Sequence, residues 1–322
     1  MMRELVAVTG ADGFIGSQLC KTLVSNGLAV RALQRKTESS LAQGIEYFPI
    51  GDIDADTDWS EALDGVSSVV HLAGRVHRMD DRHTDATDVY YMVNVEGTRR
   101  LAEFASSAGV KRIVFLSTVK IHGERTEDRA FNEDDPPNPV GPYAMSKWEA
   151  ERALREIGAE NRLEVVVIRP PLVYGPGVRA NFLRLMSLVD RRMPLPLGAV
   201  GNKRSLVGLG NLVAIIMLCL RHPKAAGETF FVSDGHDLST PELVRRIAAA
   251  LKRRCVLLPI PASILEIVGR MLGRGETIRR LVESMRVDTG KAQRLLEWTP
   301  SYSVDEELAR TADWFRVAHR RK

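Results

Sequence analysis

No stretch of this 322-residue sequence is apolar for long enough to cross a bilayer. A spanning helix needs about 20 predominantly apolar residues. The most apolar run, Asn211 to Leu220 (NLVAIIMLCL), ends far short of that and reads as a buried helix. The N-terminus, MMRELVAVTG, lacks the apolar core of a secretory signal. Cysteine is scarce: Cys20, Cys219 and Cys255 are isolated and odd in number, which argues against both a disulfide framework and a thiolate metal site. Low-complexity segments and internal repeats are missing, and 44% hydrophobic residues suffice for a full core. Together these absences predict a soluble, reduced, cytoplasmic chain without membrane insertion.

A strong charge imbalance is missing too. The net charge is +4, and the basic clusters LKRRC, RGETIRR and AHRRK are set among acids elsewhere. They read first as solvated helix faces and second as a surface for an anionic ligand, membrane or nucleic acid, and no nucleic-acid-binding motif accompanies them. The stretch HLAGRVHRMDDRH holds His71, His77, Asp80, Asp81 and His83, but at no standard ligand spacing. No metal is expected there. Trp298 and Trp314 read as packing residues.

What the sequence does contain is an alternation. Strand-like runs occur at LVAVT, AVRALQ, IEYFPI, SSVVHLA, RIVFLS and EVVVIRP. Helical patterns separate them at Ile15 to Asn26, Trp59 to Leu63, Val89 to Ala108 and Tyr143 to Ile157. The strands are continuous apolar runs, as parallel strands covered on both faces require. The alternation predicts a doubly wound α/β unit through about Arg169. After RPPLVYGPG, prolines and glycines cluster and helices come to dominate. One further strand-like run, TFFVSD, is expected to return to the main sheet.

The first strand leads into TGADGFIG, with Gly10, Gly13 and Gly16 three apart. A plain turn needs one glycine. Between a strand and a helix, three have separate uses: a sharp turn at Gly10, close approach of a pyrophosphate at Gly13, and helix–strand packing at Gly16. The helix N-terminus adds free N–H groups and a positive dipole end. The motif therefore predicts dinucleotide binding. An acid at the end of the second strand usually binds the ribose 2′-hydroxyl of NAD. Here Gln34 holds that place, followed by Arg35 and Lys36. A guanidinium binds a 2′-phosphate in a fork, so this feature favours NADP(H) over NAD(H).

Tyr143 and Lys147 sit at i and i+4 on one helix face, behind Pro142 in the first turn. Free tyrosine has a pKa near ~10, and an adjacent ammonium lowers it. Thr118 lies twenty-five residues upstream, at the carboxyl end of the fifth strand, where open α/β sheets bind ligands.

The glycine turn, the strand-end hydroxyl and the Tyr/Lys pair, in this order, resemble the extended short-chain dehydrogenase/reductases of the NAD-dependent epimerase/dehydratase family, which act on nucleotide sugars. The resemblance runs nearly the whole chain and implies a doubly wound parallel Rossmann sheet with a smaller, mainly helical C-terminal substrate domain. Residues 1–170 plus about 206–233 would form the dinucleotide-binding domain, and 171–205 with 234–322 the substrate-binding region. It implies cofactor contacts by Gly10, Gly13, Phe14, Ile15, Gly16, Arg35, Lys36, Asp52, Ile53, Leu72, Ala73, Gly74, Asn94, Tyr143, Lys147 and Pro170, with Asp52 on the adenine. It implies catalysis by Thr118, Tyr143 and Lys147, and substrate contacts by Thr118, Asn181 and Arg204, the last on the diphosphate. It leaves a homodimer open.

Two departures from the family pattern inform the function. Members that dehydrate the sugar carry Asp-Glu directly after the threonine; here Val119 and Lys120 follow, which argues against a 4,6-dehydratase. His122 stands where the family usually has tyrosine. STVKIHGE, RPPLVYGPG, PLPLG and NKRSLVGLGNL most resemble bacterial 4-reductases of UDP-4-keto-6-deoxy-N-acetylhexosamines and UDP-glucose 4-epimerase-like proteins. The first expectation is an NADPH-dependent 4-ketosugar reductase in polysaccharide precursor synthesis. The rivals are an NAD-dependent UDP-hexose 4-epimerase and a non-catalytic cofactor-binding sensor or scaffold.

Overall fold

The computed structural model describes residues 4–35, 44–76 and 86–319. Strand β1 (Leu5–Thr9) feeds helix α1 (Phe14–Ser25), then β2 (Ala29–Gln34), β3 (Ile45–Pro49) and β4 (Ser68–His71). A helical stretch follows in three parts: α2 (Ala86–Tyr91), a π turn (Met92–Glu96) and α3 (Gly97–Ser107). β5 (Arg112–Leu116), a 3₁₀ turn (Val119–His122), α4 (Gly141–Asn161) and β6 (Glu164–Arg169) complete the regular alternation. Then come β7 (Leu172–Tyr174), α5 (Ala180–Asp190), β8 (Leu206–Gly208), α6 (Leu209–Arg221) and β9 (Thr229–Phe231). The chain closes with α7 (Thr240–Leu251), α8 (Ala262–Met271), α9 (Gly275–Val282), α10 (Gly290–Leu296) and α11 (Val304–His319).

Seven parallel strands form the main sheet in the order β3-β2-β1-β4-β5-β6-β9. β7 and β8 pair separately. Successive side chains along a strand face opposite sides, so each central strand supplies two cores. Val6, Val8, Val70, Val114, Val166 and Ile168 pack on one face with α1 and α6. Ala7, Val69, Ile113, Phe115, Val165 and Val167 pack on the other with α3 and α4. This two-sided burial is why the strands read as unbroken apolar runs. A third core joins α5, α7, α11 and the buried ring of Tyr174. Strand order reverses between β1 and β4, and a doubly wound sheet opens a ligand crevice at such a switch point.

The six expected strands and the returning strand at β9 are present. The expected helix at Trp59 to Leu63 is not: Ser60 to Leu63 form turns. The Asp58 carboxylate accepts from both the Ser60 N–H (2.9 Å) and its hydroxyl (2.7 Å). Gly65 at φ +68° stops the chain before a helix can propagate from so short a nucleus. Among the described residues, no helix is long and apolar enough to cross a membrane.

Candidate active site

The glycine turn is built as its spacing predicts. Gly10 has φ +65°, and a Cβ there would lie 3.0 Å from the Ala73 backbone nitrogen. The carboxyl ends of β1 and β4 therefore meet without an intervening side chain. A Cβ on Gly16 would overlap the Gly10 carbonyl, so Gly16 lets α1 close onto the turn. Gly13 is the N-cap of α1 and offers no side-chain cap to its first N–H groups. Phe14 and Ile15 are half-buried and pack on the sheet core. An uncapped helix N-terminus behind the central strand fits a dinucleotide diphosphate.

Behind the turn, Thr9 organises the end of β4. Its hydroxyl oxygen accepts from the N–H groups of Leu72 (3.1 Å) and Ala73 (3.0 Å). Its own proton then goes to His71 Nδ1, 2.7 Å away, leaving Nε2–H to donate to the Thr98 hydroxyl at 3.0 Å. Burial, and then the Lys147 charge, hold His71 down to about 3, so it stays neutral. Its ring stacks on Phe115. His71 is thus a structural member of β4 and not a metal ligand; His77, Asp80, Asp81 and His83 lie outside the described residues. Among the described residues no cluster able to hold a metal ion occurs.

Asn94 occupies the π turn, and its side chain joins three segments. Its Oδ1 accepts from the Arg75 N–H at 2.8 Å, and its Nδ2 donates to the Arg75 carbonyl (3.1 Å) and to Ser146 Oγ (2.9 Å). Ser146 Oγ donates in turn to the Tyr143 carbonyl at 2.9 Å. A Cβ on Gly74 would lie 3.0 Å from Asn94 Oδ1, so that glycine is needed for the approach. The helical stretch read as continuous from Val89 to Ala108 is interrupted here, as π turns often are at functional positions.

Thr118, Tyr143 and Lys147 are brought together. Thr118 is buried beyond the end of β5 and caps the 3₁₀ turn, accepting from the Lys120 N–H at 3.3 Å. The Thr118 side chain lies near enough to the Tyr143 phenol to favour its ionised form. Burial pushes that phenol up to about 12, outweighing the lowering by Thr118; Tyr90, edge-on at 6.3 Å, adds to the rise. The expected lowering of Tyr143 by Lys147 is not the governing effect. The Lys147 ammonium rests on the Phe115 ring, 3.9 Å from its centroid. Burial pulls Lys147 down to about 7, while the Glu151 carboxylate, one turn along α4, opposes the fall.

Sequence reasoning missed the group behind this constellation. Glu151 is fully buried and takes a bidentate grip from Arg169, at 3.0 Å to Oε1 and 2.5 Å to Oε2. The third nitrogen of Arg169 donates to His122 Nε2 at 2.7 Å. Burial, reinforced by the adjacent Arg169 charge, lowers His122 to about 4. The position of His122 thus becomes intelligible: a neutral imidazole acceptor for Arg169, packed between Phe131 and Phe231. Lys147 and Glu151 share the i, i+4 spacing, which was a readable signal; the partners on β6 and in the 3₁₀ turn were not.

The remaining sequence-selected residues are placed as follows. Pro170 is buried, and its carbonyl accepts from the Val119 N–H at 3.0 Å. Ile53 is buried beneath α3, where a Cβ on Gly97 would overlap it. Asp52 is exposed and faces Arg35 at 3.6 Å. Lys36 lies outside the described residues. Asn181 is exposed in the first turn of α5. The Arg204 guanidinium donates to the carbonyls of Arg280 (2.8 Å) and Glu283 (3.2 Å) at the end of α9. At the dehydratase positions, Val119 is buried and Lys120 pairs with Glu124 at 2.8 Å.

This arrangement has counterparts. A UDP-glucose 4-epimerase of Vibrio cholerae is 40% identical over 99% of this chain and 98% of its own. The N-acetyl-alpha-D-glucosaminyl-diphospho-ditrans,octacis-undecaprenol 4-epimerase of Escherichia coli O157:H7 is 30% identical over 89% of this chain and 85% of its own. MoeE5, solved in complex with UDP-glucose and NAD, superposes with a TM-score of 0.76 at 28% identity, over 97% of this chain and 99% of that one. Residues 6–233 match the NAD dependent epimerase/dehydratase family, which covers the glycine turn, the π-turn asparagine and the Thr/Tyr/Lys group alike. With its seven-stranded parallel sheet and this site at the carboxyl ends of the strands, the chain is an enzyme of the nucleotide-sugar epimerase/dehydratase type and belongs to the NAD dependent epimerase/dehydratase family.

Proposed function

We propose that the chain is a nucleotide-sugar 4-epimerase acting on a UDP-hexose or UDP-N-acetylhexosamine. The observation that carries this reading is the single acid–base group: Tyr143 beside Thr118, with Val119 and Lys120 where a dehydrating enzyme needs two carboxyl side chains. One proton-transfer group suffices when the same bond is oxidised and reduced. The 40% identity to a UDP-glucose 4-epimerase supports the substrate class.

A bound nicotinamide dinucleotide supplies the acceptor and donor of hydride at the sugar carbon. Gly10, Gly13 and Gly16 with the start of α1 hold its diphosphate, Asp52 meets the adenine, and Lys147 holds the nicotinamide ribose. Thr118 donates to the sugar O4 and orients it toward Tyr143. Tyr143 removes the O4 proton as the carbonyl forms and returns it when the opposite face is reduced. Arg204 and Asn181 hold the nucleotide end, with Arg204 turning from the α9 carbonyls onto the diphosphate. Protonated Tyr143 is the form the chain alone stabilises, so its ionisation rests on Thr118 and on charge at Lys147.

A second reading, an NADPH-dependent 4-ketosugar reductase, is favoured by Arg35 directly after β2. A 2′-phosphate there would compete with Asp52 for the guanidinium. The deciding experiment combines the nucleotide released from freshly purified protein with turnover of UDP-glucose and UDP-N-acetylglucosamine followed by proton NMR. Retained NAD and C4 inversion without net redox establish the epimerase. Stoichiometric oxidation of NADPH by a UDP-4-keto sugar, with no inversion of either hexose, overturns it.

A further inference from the structure

The outer face of α8 is apolar where a surface helix is ordinarily polar. Ile264, Ile267, Val268 and Met271 follow the i, i+3, i+4, i+7 spacing of one helical stripe, and all are exposed. Met271 is 82% exposed and the adjoining Leu272 67%. The helix already has an inward face: Leu265 is buried in the third core, and a Cβ on Gly269 would overlap Ile278 of α9. The outward stripe is therefore a second apolar face, which packing among the described residues does not use.

Its surroundings are cationic. The continuous segment 252–283 holds seven basic and three acidic side chains, and of the basic ones Arg253 is neutralised by Asp190 of α5 at 2.8 Å. Arg270 and Arg274 border the stripe and are exposed, as are Lys252 and Arg254 at the start of the segment. Val256 and Leu258, in the segment that leads into α8, are further exposed apolar side chains. An apolar stripe alone suits any apolar partner. A short helix with an apolar outer face and flanking arginines suits the boundary of an anionic bilayer, where the apolar side chains enter the acyl region and the cations meet lipid phosphates.

We propose that the α8–α9 hairpin docks the chain peripherally on anionic membrane surfaces. Neither a spanning segment nor insertion of the fold is involved. Arg204 donates to the last carbonyls of α9, so a docked hairpin would lie beside the arginine assigned above to the substrate diphosphate. The docking does not depend on that assignment.

The test is co-sedimentation of the purified full chain with vesicles of phosphatidylglycerol mixed with phosphatidylcholine, and with vesicles of phosphatidylcholine alone. Binding is expected to the anionic vesicles only, and to weaken as salt is raised. Met271→Ser combined with Leu272→Ser should weaken it about tenfold or more, because both side chains lose the apolar surface that enters the bilayer. Arg270→Gln combined with Arg274→Gln should weaken it in proportion to the lost charge. Both double variants should keep the wild-type melting temperature and turnover, since none of the four residues touches the site. The proposal is overturned by failure to bind anionic vesicles, by equal binding to neutral ones, or by unchanged binding of the serine variant. It is overturned equally if sedimentation shows a protein dimer that the serine variant dissolves, which would make the face a contact between copies of the chain.

Discussion

Arg169 and Arg35 each face a carboxylate, and their settings are opposite. Arg169 grips Glu151 through two nitrogens, with both side chains almost wholly buried. Arg35 meets Asp52 through one, at 3.6 Å, with 68% and 85% of the side chains exposed. A buried pair cannot release a partner without leaving an uncompensated charge, which costs about 3–5 kcal/mol. An exposed pair is worth about 0–1 kcal/mol and exchanges readily with water or a ligand. The first arrangement fixes the floor beneath Lys147. The second leaves a guanidinium available to whatever the cofactor presents. Burial thus separates a pair that holds geometry from one that can exchange partners.

Because Tyr143 stands on the fixed side, its removal should have the largest effect. Tyr143→Phe should reduce kcat by at least about 10²-fold, as expected for loss of an acid–base group, while bound nucleotide per chain stays unchanged. A variant retaining most of its turnover would take the proton from Tyr143 and end the assignment.

Next in size is the buried pair itself. Glu151→Ala should lower the unfolding free energy by about 3–5 kcal/mol in a denaturant titration, and Asp52→Ala by less than about 1 kcal/mol. Equal losses would break the comparison. Glu151→Gln sharpens it: the fall of Lys147 below its usual value should deepen, moving the falling, alkaline limb of the pH–rate profile to lower pH, because Glu151 opposes that fall and the site needs Lys147 charged.

Acid should act on the same cluster. His122 titrates at about 4 in the folded chain, below its unfolded value of about 6.5. Between those values the unfolded chain binds the extra proton, so stability is fully present above about pH 6.5 and is lost as pH falls toward 4. The loss reaches about 3 kcal/mol for this one residue. His71, depressed for similar reasons, adds to the acid sensitivity. The contribution of His122 is therefore read as the difference between wild type and His122→Gln, whose amide oxygen can still accept from Arg169. An identical pH slope in the two proteins would show that Arg169 tolerates imidazolium.

The smallest expected effect on stability is on the exposed side. Arg35→Ala should change unfolding by less than about 1 kcal/mol. If Arg35 meets a 2′-phosphate, the same change weakens NADPH binding about ten- to a hundredfold and leaves NADH binding alone. Unchanged affinity for both would make Arg35 no more than the surface partner of Asp52.

How much of this the sequence showed depends on how far apart the interacting residues lie. Gly10, Gly13 and Gly16 act within one turn, and Tyr143 and Lys147 within one helix face, so spacing alone exposes them. The strands were readable because burial on both faces leaves little but apolar side chains in them. The grip of Arg169 on Glu151 crosses from β6 to α4, and that of Arg169 on His122 crosses to the 3₁₀ turn. No periodicity records such meetings. The π turn escaped notice because it adds a residue inside a pattern that otherwise stays helical. The turns at Ser60 to Leu63 read as helix because side-chain capping by Asp58 competes with propagation in a way composition does not reveal.

The position of β9 bears on how the chain is made. β6 pairs with β5 on one side and with β9 on the other, yet β7, α5, β8 and α6 all intervene in the sequence before Thr229. As the polypeptide leaves the ribosome, the first six strands can assemble while the outer edge of β6 still displays unpaired backbone groups. An apolar strand in that state is a template for a neighbouring nascent chain. Completion of the sheet therefore waits on a three-residue strand encoded in the last third of the message, and a chain truncated before it should be the form that chaperones hold.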